Sequence, residues 1–276
     1  MKRILIPIDF SELSEYAFSI AKEIQEKTNA QLIGLNVVHV GKSALYKTDG
    51  TLSDSNDFDV EAIRKQQADN EQKIQEFLKD VPNSKGVVKI GNIEEIILNC
   101  EKDEEIDLII MGTHGSSGLS QQLSGTIADK IVRKAQASVI TLKCKRETSE
   151  FKDILLVSDY DQAEKDNIAQ LKEIASIFGA KLHLLKVNTP SNSSEVSEIE
   201  NNMSKYCQLN GLENVDFHVV ENDKLEDGIT KFADEKGIEF IAIGSKGRMG
   251  ISALFRGCIS ADLVNHLYKP VFTFRA

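Results

Sequence analysis

The sequence predicts an α/β fold of two doubly wound, five-stranded parallel-sheet domains in tandem, and three observations carry that reading. Short apolar runs alternate with stretches of helical period along the whole chain, the pattern of βαβ units that put helices on both faces of a parallel sheet. The 276 residues suit two domains of about 140, each large enough to bury a core of its own. The second half also repeats the first. Lys152–Ser158 followed by Asp159 matches Lys2–Ile8 followed by Asp9 at an offset of 150. Gly112-Thr113-His114-Gly115, nine residues, then Gly125-Thr126 returns at an offset of 132 as Gly244-Ser245-Lys246-Gly247, nine residues, then Gly257-Cys258. The domains are expected over 1–146 and 151–276, with 147–150 as connector inside the charged stretch Lys143–Glu150.

Each element has its own signal. Lys2–Ile8 is a short apolar strand closed by Asp9. Ser11 is placed to cap a helix running to about Lys27, with Glu12 and Glu15 in its first turn and Leu13, Ala17, Ile20, Ala21 and Ile24 on one stripe. Ala30–Val40 is nearly continuous in Leu, Ile and Val, as expected of a strand covered on both faces. Gly41–Asp59 has no period and reads as a polar surface excursion. Helix Val60–Leu78, strand Val87–Ile90, helix Ile93–Glu101, strand Ile106–Met111, the glycine stretch, a helix to about Ala135 and strand Ser138–Leu142 complete the first half. The second half reads as strand Lys152–Ser158, helix Gln162–Phe178 with Gly179 as C-cap, strand Lys181–Val187 and polar loop Asn188–Ser194. Helix Glu195–Asn210, strand Val215–Val220, helix Leu225–Lys236, strand Glu239–Ile243, a helix to about Leu267 and strand Pro270–Phe274 follow.

Composition excludes several classes. A net charge of −10 without a Lys/Arg stripe argues against a general nucleic-acid binder. Asp9 cuts the first apolar run far below signal-sequence length, and no stretch approaches the roughly 20 apolar residues of a membrane span. A cytoplasmic protein with no membrane partner is the expectation. Cys100, Cys144, Cys207 and Cys258 stand too far apart for a zinc knuckle or C-x-x-C motif and read as reduced structural thiols.

Chemistry is expected where strand order reverses, because ligands of open parallel sheets settle at strand carboxyl ends beside that point. Asp9 and the stretch 112–126 would face each other there in the first half, Asp159 and 244–258 in the second. Glycines permit close backbone approach, and helices starting at Gly125 and Gly257 turn free N–H groups toward the same spot, as phosphate binding requires. A carboxylate can accept hydrogen bonds from ribose hydroxyls or an adenine amino group. Ser116, Ser117 and Thr126 could donate hydroxyls, and Lys246 and Arg248 could add positive charge. Each has a plainer reading as well: a tight turn for the glycines, a helix cap for Asp9, and solvated loop side chains for His114, Lys246 and Arg248. No residue stands out as a catalytic base and no carboxylate cluster is dedicated to Mg²⁺, so slow or absent hydrolysis is expected. No metal-ligand spacing is evident. The chain has no P-loop and no Rossmann G-x-G-x-x-G, and Phe10-Ser11-Glu12-Leu13-Ser14 is not the phosphate loop of an ATP pyrophosphatase.

These residues resemble the universal stress protein family, whose nucleotide-binding members carry G-x-x-G, nine residues, then G-[ST], with an Asp ending strand one. The resemblance covers nearly the whole chain as a tandem pair. It implies strand order 3-2-1-4-5, ATP, ADP or AMP as ligand with Mg²⁺ as a possible companion, and adenosine contacts from Asp9 and Val38. It also implies pairing of domains through their fifth strands, here as an intramolecular pseudo-dimer, with further homodimerisation open. The first half matches in full at Gly112, Gly115, Gly125 and Thr126. The second offers Asp159, Gly244, Gly247, Arg248, Gly257 and Cys258. Its Cys258 is a weak donor, a loss of about 1 kcal/mol at the phosphates, and Asp161 in place of Ser11 adds negative charge. The implied function is a stress-response sensor or regulator that binds an adenine nucleotide; the rival reading is an interaction module that keeps the fold without a ligand.

Overall fold

A computed structural model describes residues 1–39, 60–113, 127–143, 151–158, 160, 165–244 and 269–274. The chain divides into two compact units, Met1–Ala137 and Ser138–Ala276. Unit 1 runs β1 (Arg3–Pro7), α1 (Glu12–Thr28), β2 (Gln31–His39), α2 (Val60–Leu78), β3 (Ser84–Gly91), α3 (Ile93–Asp103), β4 (Leu108–Gly112) and α4 (Ile127–Lys134). Its strands lie in the order β3-β2-β1-β4, and the β1–β2, β1–β4 and β2–β3 ladders are parallel. Ile4, Leu5 and Ile6 of β1 and Leu108, Ile109 and Ile110 of β4 are fully buried, as strands covered on both faces must be.

The sheet is fitted to its helices by small residues. Gly34 and Gly86 are register partners on β2 and β3. A Cβ at Gly86 would lie 2.8 Å from Ile74 Cγ2, and one at Gly34 would lie 3.0 Å from Ile8 Cδ1 and 3.3 Å from Leu78 Cδ1. The paired glycines therefore form a shallow trough that receives Ile74 and Leu78 of α2, both buried. This explains why β3 begins at Ser84 rather than at the expected Val87: Ser84-Lys85-Gly86 has turn composition, but Gly86 is where the helix sits down. Across the unit, buried Glu101 on α3 accepts the backbone N–H groups of Gln136 and Ala137, each at 2.6 Å. That contact satisfies donors at the exit from α4.

Unit 2 contains β5 (Ser138–Leu142), β6 (Asp153–Val157), α5 (Lys165–Phe178), β7 (Lys181–Asn188), α6 (Val196–Asn210), β8 (Asp216–Glu221), α7 (Leu225–Lys236), β9 (Phe240–Gly244) and β10 (Val271–Phe274). Its strand order is β5-β10-β9-β6-β7-β8. The repeat's own strands, β6 to β10, thus show the complete order 3-2-1-4-5, and unit 1 fills the first four places of the same scheme. Phe151 packs edge-on against Phe178 and Phe240 with centroids 4.9 and 5.0 Å away, closing the core where the repeat begins.

β5, the last strand of the first repeat, pairs antiparallel with β10 and so falls in unit 2. The ladder is locally symmetric: Val139 faces Thr273, Thr141 faces Val271 and Ile140 faces Phe272. Thr141 Oγ1 donates to the Val271 carbonyl at 3.4 Å, and Thr273 Oγ1 donates to the Val139 carbonyl at 3.2 Å. Both strands are buried along their whole length.

Helices Val60–Leu78 and Leu225–Lys236 and strand Ser138–Leu142 have the bounds their sequences predict. Gly179 takes the left-handed conformation of a C-cap, φ +63°. The excursion 41–59, the connector 147–150 and the helix expected to end near Leu267 lie outside the described residues.

The packing of α7 is directly testable. A Cβ at Gly228 would lie 2.6 Å from Val187 Cγ1 and 3.1 Å from Asn222 Cβ. Alanine gains about 1 kcal/mol of helix propensity, but overpacking against a stiff β-branched neighbour costs about 1–3 kcal/mol. With the closest approach at 2.6 Å the cost is taken at the upper end of that range, so Gly228→Ala is expected to lower unfolding free energy by up to about 2 kcal/mol in a urea titration. A variant at least as stable as the parent would contradict this close approach.

Candidate functional site

β1 pairs with β2 on one side and β4 on the other, so the reversal of strand order falls beside the carboxyl end of β1. Asp9 follows that end after one residue, the buried Ile8. Its Oδ1 accepts the Ser11 N–H at 3.1 Å and the Ser11 hydroxyl at 2.5 Å. Ser11 in turn is the N-cap of α1, its Oγ accepting the Ser14 N–H at 3.3 Å. One carboxylate oxygen thus holds the residue that starts the helix, which brings a negative charge to the positive end of α1. Asp9 thus buttresses the cap without being the N-cap itself, which is Ser11.

The turn through Asp9 is held open at a cost. Phe10 has φ +61°, and Tyr160, at the same place in the second repeat, has φ +58°. A bulky residue in the left-handed region is an outlier of a kind that concentrates at ligand sites. The Lys73 ammonium of α2 lies 5.6 Å from the centre of the Phe10 ring.

Gly112 ends β4 half-buried. A Cβ there would lie 2.9 Å from Leu13 Cβ, so the missing side chain admits the first turn of α1 against the strand end. Thr113, the next residue, is buried. Val38 lies near the carboxyl end of β2 and is buried. His114, Gly115, Ser116, Ser117, Gly125 and Thr126 lie outside the described residues, as do Asp159, Asp161, Lys246, Gly247, Arg248, Gly257 and Cys258.

A buried amide relay behind the crevice was not foreseen. Asn36 Nδ2 donates to the Ile8 carbonyl at 2.8 Å, and Asn70 Nδ2 donates to Asn36 Oδ1 at 2.8 Å. It ties the exit of β1 through β2 to α2. The signal was present: an Asn inside the otherwise apolar run Leu32–Val38 needs a buried partner. The second repeat solves the same problem differently. Tyr160 is 4% exposed, its hydroxyl lies 2.7 Å from the Leu156 carbonyl and 3.1 Å from that of Leu185, and its ring meets Tyr206 edge-on at 5.2 Å. Burial pushes the phenol well above its ordinary pKa, so it stays a neutral donor. β6 is flanked by β7 and β9, and Gly244 closes β9 half-buried.

Cys100 and Cys207 are free and buried. Burial pushes both thiols up, which disfavours the reactive thiolate. Among the described residues, no helix is long and apolar enough to cross a membrane.

Fold and crevice define a doubly wound α/β protein of the class that places ligands where strand order reverses. The chain belongs to the universal stress protein family: the model of that family matches residues 1–143 and again 150–275. It is 27% identical over 155 residues to the universal stress protein MJ0577 of Methanocaldococcus jannaschii, covering 52% of this chain and 96% of that protein. It is also 27% identical over 149 residues to the universal stress protein YxiE of Bacillus subtilis, covering 51% of this chain and 98% of that protein. Over nearly its full length the fold matches the crystal structure of a universal stress protein from Archaeoglobus fulgidus, with a TM-score of 0.71, 18% identity, and coverage of 99% of this chain and 96% of that one.

The Asp9 contacts give a prediction independent of any ligand. Asp9→Ala removes the acceptor that fixes the N-cap and is expected to lower unfolding free energy by about 1–2 kcal/mol, with Asp9→Asn losing less because an amide oxygen still accepts. Chemical denaturation of the three proteins checks this. Equal stability of Asp9→Ala and the parent would mean that the cap does not depend on Asp9.

Proposed function

We propose that this chain binds an adenine nucleotide in the crevice of its first repeat and uses occupancy as a signal rather than turning the nucleotide over rapidly. The observation that carries this is the placing of Asp9 and Gly112 at the carboxyl ends of the two strands that flank the reversal of strand order. Asp9 would accept from the ribose or adenine and Val38 would line the adenosine. Gly112, Gly115, Ser116, Gly125 and Thr126 would present backbone and hydroxyl donors to the phosphates, with Mg²⁺ accompanying a triphosphate. In the second repeat Asp159, Gly244, Gly247, Arg248, Gly257 and Cys258 would form a weaker site, since Cys258 replaces a hydroxyl donor.

Calorimetric titration with ATP and AMP tests the assignment. Gly115→Asp places a side chain and a charge where the phosphates would lie, and ATP affinity is expected to fall at least about tenfold while the far-UV spectrum is unchanged. Unaltered affinity would overturn the site.

We also infer that the two repeats act as an intramolecular pseudo-dimer joined through their fifth strands, a reading supported by the β5–β10 ladder. Proline at Val139 removes a ladder donor and is disfavoured within a sheet. Small-angle scattering is expected to show an expanded or aggregating particle for Val139→Pro, with ATP affinity at the first repeat nearly preserved. No change in scattering would mean that the repeats associate otherwise.

A further inference from the structure

The strands of unit 2 carry a second cluster of ionisable side chains, at the end opposite the crevice. Asp153, Lys181 and Asp216 are the first residues of β6, β7 and β8, and His183 and His218 stand two residues into β7 and β8. Register sets His183 opposite Asp216 and Asp153 opposite Lys181. His183 Nδ1 lies 3.2 Å from His218 Nε2 and 3.6 Å from Asp216 Oδ2. One ligand atom from each of His183, Asp216 and His218 lies within 4.8 Å of the other two. On its other side, His183 Nε2 meets Asp153 Oδ1 at 2.8 Å.

We propose that His183 Nδ1, His218 Nε2 and a carboxylate oxygen of Asp216 form a binding site for a divalent transition-metal ion of the zinc class. Asp153 is the first reason. A carboxylate acceptor places the proton of His183 on Nε2, which leaves the Nδ1 lone pair aimed at His218 and Asp216; carboxylate–histidine pairs orient metal ligands in this way. Spacing is the second. With metal–ligand bonds of about 2.0–2.1 Å and tetrahedral angles, donor atoms stand about 3.3 Å apart, and the observed 3.2 and 3.6 Å bracket that value. The two separations from His183 Nδ1 are thus already those of a tetrahedral site.

The donors are also held in place. His218 packs against Phe232 of α7 with centroids 4.7 Å apart and stacks on His183 at 5.5 Å with an interplanar angle of 24°. Two imidazoles and one carboxylate suit zinc, copper or nickel far better than magnesium or calcium, and three protein ligands leave one position for water. The opposing feature is Lys181, whose Nζ lies 2.7 Å from Asp216 Oδ2. Its side chain is 49% exposed, so the ammonium can swing into water as the ion enters. Its competition lowers affinity relative to a closed structural site.

The test is titration of the full chain with Zn²⁺ by calorimetry, with Mg²⁺ as the control ion and Co²⁺ as a spectroscopic probe. The parent is expected to take up one Zn²⁺ at this site and to give the visible absorption of four-coordinate Co²⁺ with nitrogen ligands, and Mg²⁺ is expected not to compete. His183→Gln and His218→Gln should each weaken Zn²⁺ binding at least tenfold, and Asp153→Asn about 10–100-fold. Lys181→Gln should tighten it several-fold, an effect that a purely hydrogen-bonded cluster would not produce. ATP affinity should be unchanged throughout, since no residue of the crevice is altered. Failure of the parent to bind Zn²⁺, or parent-like affinity in the His183→Gln/His218→Gln double variant, would overturn the proposal. Should a substitution disturb folding, the parent's Co²⁺ spectrum alone decides, because four-coordinate absorption without nitrogen ligation excludes the two histidines.

Discussion

Burial of parallel strands on both faces is the constraint from which the rest of each unit follows. Ile4, Leu5 and Ile6 of β1, Leu108, Ile109 and Ile110 of β4 and Ile154, Leu155 and Leu156 of β6 are wholly removed from water. No face of those strands is left for a polar side chain that must meet solvent or ligand, so chemistry is displaced to strand ends, where the backbone leaves the ladder. At the carboxyl end of β1 this produces Asp9 and its capped turn. At the amino ends of the less central β7 and β8 it leaves room for His183, Asp216 and His218.

Bringing helices down onto such sheets needs space that only glycine leaves. Gly34 and Gly86 receive Ile74 and Leu78, Gly112 receives Leu13, and Gly228 receives Val187. Gly112 shows why glycine is ambiguous in a sequence. Close approach by a ligand and close approach by a neighbouring helix make the same demand for a missing Cβ, and only coordinates show which neighbour has taken the space. At the position a Cβ of Gly112 would take, that neighbour is Leu13.

Period and repetition made the fold legible before any coordinates. Continuous apolar runs such as Leu32–Val38 announce strands buried on both sides, and the 150-residue echo of Lys2–Asp9 in Lys152–Asp159 announces the tandem. Edges were read less well, because β3 is half-exposed along its whole length and its start is set by what α2 needs rather than by its own composition. In the site, Asp9 was legible because it closes an apolar run. The Asn36–Asn70 relay and the His183–His218 pair were not, since their partners stand 34 and 35 residues apart and meet only through helix packing or strand register. The pattern Lys-x-His beginning β7 and Asp-x-His beginning β8 is a faint trace of the second, visible once the strands are known to be neighbours.

The β5–β10 ladder has an evolutionary consequence. Two identical copies meeting across a two-fold axis must each present the same side chain at the axis, so any substitution there appears twice and has to be compatible with itself. In this chain the central position is occupied by Ile140 on one strand and Phe272 on the other, flanked on both sides by a Val–Thr pair. A tandem chain is under no such rule, because each position of the ladder is encoded separately on its two strands. A large ring now lies opposite a smaller branched chain, each free to change so long as the other answers.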